Sequence, residues 1–483
     1  MTYNQMETLT SLFGHWAGTV PETMSRLTPA GSDREYWRIR AGANTVIGVN
    51  GTSAEENRAF ITLCRHFHAK GLPVPELLAC SEDGMSYLQE DLGDTSLYDF
   101  LEPCRKSGMY DTGSVKLLEK VVKLLPEFQF RGAAGLDFQI CYPVESFDRR
   151  SIMWDLNYFK YCFLKTTGLD FHEGRLEDDF GHLADTLLHD SPYDTFMYRD
   201  FQARNIMIRD GEPMFIDFQG GRRGPVGYDL VSLLWQARAA YPEKLRSHLT
   251  DIYIEALQRF RPTSSDSFRR ELKHMILFRM LQVLGAYGFR GKFERKSQFL
   301  TGIPAAIGIL ESVLDEGTGK NEYPYLAELL RKMAALPEFR QIPASTADRL
   351  TVRITSFSFR KGIPEDRTGN GGGFVFDCRS MHNPGLYDEY KPLDGSSPEV
   401  ISFLDEQGEI QKFMESVYGL TDPAVEKYLS RGFTDLAVCF GCTGGRHRSV
   451  RSAECLAEHL HGKYGDRIRI VLTHREMKRQ REI

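Results

Sequence analysis

The sequence predicts two domains, of α+β and α/β class. The first has a small mixed β lobe and a mainly helical lobe. The second is an α/β domain with a mostly parallel sheet. Three observations carry this expectation. The chain has 483 residues, more than one ordinary domain holds. A break rich in proline and small polar residues, LPEFRQIPASTADR (Leu336 to Arg349), interrupts it. Before the break, long amphipathic helical patterns dominate. After it, apolar strands alternate with glycine turns and helical runs, the grammar of a parallel sheet. The expected boundaries are 1–341 for the first domain, with lobes meeting near residue 93, 342–349 for a linker, and 350–483 for the second domain.

The elements follow in order. TVIGVN (Thr45 to Asn50) is β-rich and ends in the turn NGTSAEEN. ENRAFITLCRHFHAKGL has helical spacing of apolar residues and stops at Gly71-Leu72-Pro73. MSYLQEDLG (Met85 to Gly93) reads as a strand running into a turn. Four long amphipathic stretches then build the helical lobe: SVKLLEKVVKLLPEFQF, DLNYFKYCFLKTTGL, YDLVSLLWQARAAY and ELKHMILFRMLQVLGAYGF. Two short β-like runs, NIMIRDG and PMFIDFQ, turn around Asp210-Gly211 as a hairpin. Beyond the break, RLTVRITSFSFR alternates like a strand, and GNGGGFVFDCRS is a glycine loop feeding another. FTDLAVCFGCTGG, HRSVRSAECLAEHLHGKYG and RIRIVLTHRE complete a strand, helix and strand.

Composition bounds the function. Charged residues make up 26% and hydrophobic residues 41%, the profile of a soluble globular chain. A net charge of −6 gives no general drive toward nucleic acid or anionic membranes. No apolar run approaches the ~20 residues that span a bilayer, and MTYNQMETLTSLFGHW lacks the layout of a signal peptide. A cytoplasmic location without a membrane partner is expected. Nine scattered cysteines make no disulfide framework and are expected to be mostly small buried apolar residues.

The first chemical constellation lies in MYRDFQARNIMIRDGEPMFIDFQGG. Asp200 is followed by Asn205 and then by Asp217, twelve residues further on. Phosphoryl transfer needs a carboxylate near the attacking hydroxyl and oxygen ligands that hold a metal against phosphates. A loop carrying Asp and Asn, with a hairpin returning a second Asp, meets that need. YRDFQARN, FIDFQ and GPVGYDLVSLL (Gly224 to Leu234) together resemble the aminoglycoside phosphotransferase and choline kinase-like family, over roughly residues 20–335. The resemblance implies a protein-kinase-like fold, ATP and Mg²⁺ as cofactors, Asp200 as base, and Asn205 and Asp217 as metal ligands. It also implies that Asp229 braces the catalytic loop.

Two departures stand out. Tyr198 replaces the family's histidine, a position expected to be architectural. TVIGVN carries no lysine to meet phosphate, so Arg38 or Arg34 is expected to supply the charge. Glu55 or Glu56 stands where the missing lysine's acidic partner would be, or is a complement to the helix dipole. TPAGSDREYWRIR (Thr28 to Arg40) stands where a nucleotide-covering loop belongs, with Gly31 and Ser32 letting backbone amides approach phosphate. LQEDLG resembles the family's hinge, placing Glu90 and Leu92 beside the nucleotide. SIMWDLNYFKYCFL resembles the acceptor-side helix of cell-wall sugar kinases of the N-acetylmuramate/N-acetylglucosamine type. It makes Asp155, with Arg204, a candidate substrate contact, and a sugar or amino sugar the leading acceptor. Trp154, Tyr158 and Phe159 are expected in the core, and HEGRLEDDFGHLADT as a solvated helix face. A nucleotide- and sugar-phosphate-binding sensor without turnover, or an aminoglycoside or choline kinase, are the alternatives.

The second constellation is GCTGGRHRSV. An apolar strand, LAVCF, delivers a glycine turn to a helix N-terminus, where amides converge on an anion. Arg446, His447 and Arg448 add charge, Thr443 and Ser449 hydroxyls, and Cys442, Gly444 and Gly445 the turn itself. Cys442 also admits zinc (with Cys439, His447 and Cys455), redox Cys-x-x-Cys, and phosphatase Cys-x5-Arg-Ser chemistries. ITSFSFRKGIP, FVFDCRSMHNPG, YKPLDG and GCTGGRHRSV resemble the C-terminal domain of the RapZ family of RNase adapter proteins. That resemblance implies binding of a phosphorylated amino sugar, glucosamine 6-phosphate, with Arg367, Asn383 and Lys391 as further candidate contacts. It leaves RNA or a protein as possible partners. The family's Walker A domain has no counterpart here; a kinase-like segment stands in its place. The basic tail HREMKRQREI is expected to be a frayed terminus, with RNA contact as the alternative.

Overall fold

The computed structural model describes residues 3–27, 34–191, 193–294, 296–336, 339, 350–364, 373–430 and 433–483. The chain divides into two compact units, 1–293 with 302–340, and 341–483 with 294–301. The expected linker, 342–349, lies outside the described residues.

The first unit opens with a five-stranded antiparallel sheet: β1 (Thr23–Arg26), β2 (Glu35–Ala41), β3 (Asn44–Asn50), β4 (Leu77–Cys80) and β5 (Ser86–Glu90), in the order β1-β2-β3-β5-β4. The helix Tyr3–Ala17 sets Leu9 and Phe13 against Ile39, Val46 and Leu88 of this sheet. At Gly48 on β3 a Cβ would lie 2.8 Å from Ile39 Cδ1 and 3.1 Å from Leu9 Cδ2, so a larger residue would push those side-chain ends aside. The helix Ala54–Ala69 starts at Ser53, whose hydroxyl accepts the Glu56 N–H.

The rest of this unit is helical. It is interrupted by the pair β6 (Phe196–Met197) and β9 (Arg222–Arg223) and by the hairpin β7 (Ile206–Arg209) and β8 (Glu212–Phe215). The long helix Ser265–Gly288 packs on the helix Arg149–Cys162, with Gly288 against the Cys162 carbonyl. The helix Arg149–Cys162 buries Ile152, Asp155, Leu156 and Phe159. Trp154 is 51% exposed, so its expected place in the core is corrected. At about 100° per residue, Trp154 falls on the face opposite the buried stripe. Glu173 and Glu177 of the next helix both pair with the buried Lys160, and Asp179 accepts the Leu326 N–H at 2.8 Å. The acidic segment is therefore partly structural.

In the second unit β10 (Leu350–Ser358), β11 (Gly373–Asp377), β12 (Asp435–Cys442), β13 (Ile468–His474) and β14 (Arg479–Glu482) form one sheet, ordered β11-β12-β10-β13-β14. The first four strands in that order run parallel and β14 is antiparallel. The basic tail is thus an edge strand, correcting the frayed terminus. Ile483 and Ile470 exchange backbone hydrogen bonds, and Arg479, Arg481 and Glu482 pair with Asp394, Glu454 and Arg469. Alternating charges blunt an edge that would otherwise template pairing.

No helix among the described residues is long and apolar enough to cross a membrane. All nine cysteines are free, and six of them, including Cys439 and Cys442, are buried.

Candidate functional site

β6 leads into Tyr198, Arg199 and Asp200, and the hairpin β7–β8 returns the chain to Asp217. The fully buried Asp229 holds the first segment. Its two carboxylate oxygens accept the N–H groups of Tyr198 and Arg199, each at 2.8 Å. Burial pushes the Asp229 carboxyl up to about 7, against the pull of those two amides. Arg199 and Asp217 both sit in the left-handed region, at φ 74° and 69°. For non-glycine residues this strain costs of order 1–3 kcal/mol and needs a frame that over-determines it. Tyr198 is part of that frame. Its ring packs edge-on against Phe128, Phe201 and Phe218, and its hydroxyl donates to the Ile216 carbonyl, one residue before Asp217. The tyrosine that stands in place of histidine therefore ties the two halves of the site together.

Asn205 Nδ2 donates to the Asp200 carbonyl and to Asp217 Oδ2, both at 2.9 Å. Its Oδ1 has no protein donor among the described residues. Gln219 Nε2 donates to Asp217 Oδ1 at 2.8 Å. Burial and the neighbouring charge of Asp200 push the Asp217 carboxyl up, while Gln219, Arg34 and Arg204 oppose the shift. Two carboxylates and one amide oxygen are hard donors suited to a small divalent cation, and a cation there would relieve the Asp200–Asp217 repulsion. The residues present fit the implied metal.

Arg34 is 3% exposed and pairs with Glu56 Oε1 at 3.1 Å. Its charge opposes the upward shift of the Asp217 carboxyl. Arg38 is turned elsewhere. Its guanidinium grips Asp91 at 2.7 and 3.0 Å and Asp94 at 2.8 Å. Of the two arginines proposed to replace the strand lysine, Arg38 is committed to bracing the hinge. The Glu90 carboxylate pairs with Arg209, its N–H donates to the Glu76 carbonyl, and the Leu92 side chain is buried. Gly31 and Ser32 lie outside the described residues. Asp155, 8% exposed, accepts from Arg199 at 3.4 and 3.5 Å, while Arg204 is exposed.

Three participants were not assigned from sequence. Gln219 lies two residues past Asp217 in FIDFQ. Arg199 precedes Asp200. Arg279, 5% exposed, reaches within 4.0 Å of Asp200 Oδ1 and donates to Ser232 Oγ. A lone arginine inside the apolar run ILFRMLQ was the available signal.

In the second unit, β12 ends at Cys442 and the helix Arg448–Tyr464 begins six residues later. Cys442 Sγ accepts the Gly445 N–H and meets Ser449 Oγ, both at 3.2 Å. Ser358 Oγ donates to the Thr443 carbonyl at 2.7 Å, while Gly444 and Arg446 are exposed. Arg448 is 4% exposed and donates to the Arg379 and Met381 carbonyls at 3.0 and 2.8 Å. Cys439, Cys442, His447 and Cys455 do not converge to metal-ligating distance. Asn383 caps the turn Pro384–Leu386, Lys391 pairs with Asp388, and Arg367 lies outside the described residues.

His447 Nε2 lies 3.0 Å from the Tyr390 carbonyl, and burial lowers its pKa from 6.5, against two backbone contacts that raise it. A depressed folded pKa gives stability that is present above 6.5 and lost as pH falls through the folded value. Thermal unfolding between pH 7.5 and 5.5 is expected to show a steeper fall in wild type than in His447→Gln. Equal slopes would exclude a buried neutral imidazole.

Residues 26–263 match the phosphotransferase enzyme family, and residues 350–478 match the RapZ C-terminal domain. A nucleotide-binding protein of Geobacillus kaustophilus is 35% identical over 144 residues, 30% of this chain and 45% of its own. One from Bacillus licheniformis is 32% identical over 195 residues, 40% of this chain and 63% of its own. The chain thus spans less than two thirds of the length of these curated relatives. Among solved structures, choline kinase from Cryptosporidium parvum aligns at a TM-score of 0.46 and 11% identity, over 68% of this chain and 99% of its own. An ADP-bound aminoglycoside phosphotransferase aligns at 0.44 and 11%, over 64% and 97%.

Proposed function

We propose, for a chain that joins a domain of the phosphotransferase enzyme family to a RapZ C-terminal domain, that it phosphorylates a hydroxyl of a sugar or amino sugar. In the same proposal its second domain binds a phosphorylated amino sugar. The observation that carries the first part is the convergence of Asp200, Asn205 and Asp217 under the Asp229 brace, with the Arg34–Glu56 pair alongside.

ATP with Mg²⁺ would supply the phosphoryl group and the charge that neutralises it. Asn205 Oδ1 and the Asp217 carboxylate would hold the metal. Asp200 orients the acceptor hydroxyl and takes its proton as the oxygen bonds to phosphorus and ADP departs. Arg34, held by Glu56, meets the nucleotide phosphates in place of the strand lysine. The acceptor class rests on the likeness of SIMWDLNYFKYCFL to the cell-wall sugar kinases. The pair of Asp155 with Arg199, the residue just before Asp200, supports it.

In the second domain the turn after β12 offers backbone amides, the half-buried Thr443 and the exposed Arg446, which also donates to the Pro392 carbonyl at 3.2 Å, to an anion. Arg448 is spent on two carbonyls, so the guanidinium that a Cys-x5-Arg phosphatase points at phosphate is engaged elsewhere. This favours a binding cradle, with Cys442 as its floor.

Mg²⁺-dependent ATP consumption should appear with N-acetylmuramate, N-acetylglucosamine or glucosamine and stay at background with choline or an aminoglycoside. Turnover confined to choline or the aminoglycoside sinks the sugar assignment. Nucleotide binding with no turnover on any acceptor replaces the enzyme with a sensor. Glucosamine 6-phosphate should bind the chain saturably, and no binding overturns the cradle.

Arg34→Ala is expected to lower kcat/KM for ATP by about 10–100-fold, the loss of a charge-assisted phosphate contact. Arg38→Ala is expected to lower Tm and change kcat/KM by less than about threefold, since its partners are hinge carboxylates. The reverse ranking in steady-state kinetics would move the phosphate contact to Arg38.

A further inference from the structure

A cavity of about 340 Å³ opens in the helical lobe, and none of Asp200, Asn205 and Asp217 lines it. The volume is at the low end of small-ligand sites. Leu187, Val226, Phe268, Leu272 and Met275 form apolar walls, each at most 5% exposed. Two guanidinium groups stand at its rim, Arg261 half-buried and Arg270 exposed. Neither has an ion-pair partner among the described residues. Two carboxylates share the rim: Asp190 lies 3.0 Å from His189, and Glu271 accepts from Ser267 Oγ at 3.0 Å. Apolar walls beneath two guanidinium groups that lack ion-pair partners among the described residues suit a small molecule with an apolar body and one anionic end.

We propose that this cavity binds a small amphiphilic carboxylate, its apolar body among the walls and its carboxylate at Arg261 and Arg270. The site also bears on the catalytic loop. Thr195 and Pro225–Gly227 are part of its lining. Thr195 Oγ1 donates to the Gly224 carbonyl at 2.7 Å, and the Gly224 N–H donates to the Thr195 carbonyl at 3.1 Å. One strand of this clasp continues to Tyr198 and Asp200, and the other to Asp229, which accepts the Tyr198 and Arg199 amides. An occupant stiffens the clasp and so the loop.

The test does not depend on the phosphotransferase assignment. Octanoate is titrated into the full chain by calorimetry, with octan-1-ol as the neutral control. One octanoate per chain is expected, bound more tightly than octanol. The double variant Arg261→Ala/Arg270→Ala is expected to weaken octanoate by about tenfold and leave octanol unchanged. Leu272→Phe, which fills the cavity, should weaken both. Should that variant not fold, the arginine double variant at the rim still decides. Absence of saturable octanoate binding, or equal affinity in wild type and the double variant, overturns the site. Bound octanoate should also slow hydrogen exchange at the Tyr198 and Arg199 amides, and unchanged exchange overturns the link to the loop.

Discussion

Asp200→Asn is expected to lower turnover by about 10²–10⁴-fold, the usual range for losing a general base, with ATP affinity kept within a few-fold. Its side chain is 43% exposed and has Arg279 as its nearest cation, at 4.0 Å. Replacing one oxygen by an amide therefore costs little stability and leaves the frame intact. Asp217 is the proposed metal ligand, and Asn205 and Gln219 both donate to it. Asp217→Asn should instead raise the Mg²⁺ requirement and weaken nucleotide binding. Phosphoryl transfer rests on positioning and electrostatics more than on proton removal. A variant at Asp200 that keeps more than one tenth of wild-type kcat would assign the whole rate to those effects and remove the base.

Asp229→Ala is expected to be the most damaging single change for the loop. It strands two buried N–H groups, those of Tyr198 and Arg199, and the second belongs to a residue already at φ 74°. Each orphaned donor costs about 1–3 kcal/mol, so a loss of roughly 3–5 kcal/mol and a fall in Tm of about 5–10 °C are expected. Turnover should fall with it. Burial raises the Asp229 pKa to about 7 from an ordinary 3.8. A raised folded pKa gives stability that is full below the unfolded value and lost as pH rises through the folded one. The penalty measured by thermal unfolding is accordingly expected to be larger at pH 5 than at pH 8. A Tm within 1–2 °C of wild type at both pH values would show that the loop is held by its aromatic packing instead.

Much of both candidate sites is local in the chain, which is why it could be read without coordinates. Asp200, Asn205 and Asp217 lie within one loop and one two-residue hairpin turn, so spacing alone brings them together. GPVGYDLVSLL places Asp229 just inside a helix that follows directly. GCTGGRHRSV sits at the junction of β12 and a helix, where periodicity changes from two to 3.6.

The choice between Arg34 and Arg38 was of another kind. Positions 34, 36 and 38 fall on one face of an extended chain, so alternation does not separate them. They are roughly 13 Å apart along it, and the pairing of β2 with β3, and of β3 with β5, sets which end meets Glu56 and which meets Asp91. The tail turned on the same physics. HREMKRQREI is polar enough to fray, and it becomes an edge strand because β13 leaves one side open and Glu454 and Asp394 lie within reach of its arginines.

Chain order and residue type therefore marked which groups are candidates for chemistry. Long-range register settled which of them meet. A charge's partner depends on distance through space, and spacing along the chain reports that distance only within a turn, a hairpin or a single helix.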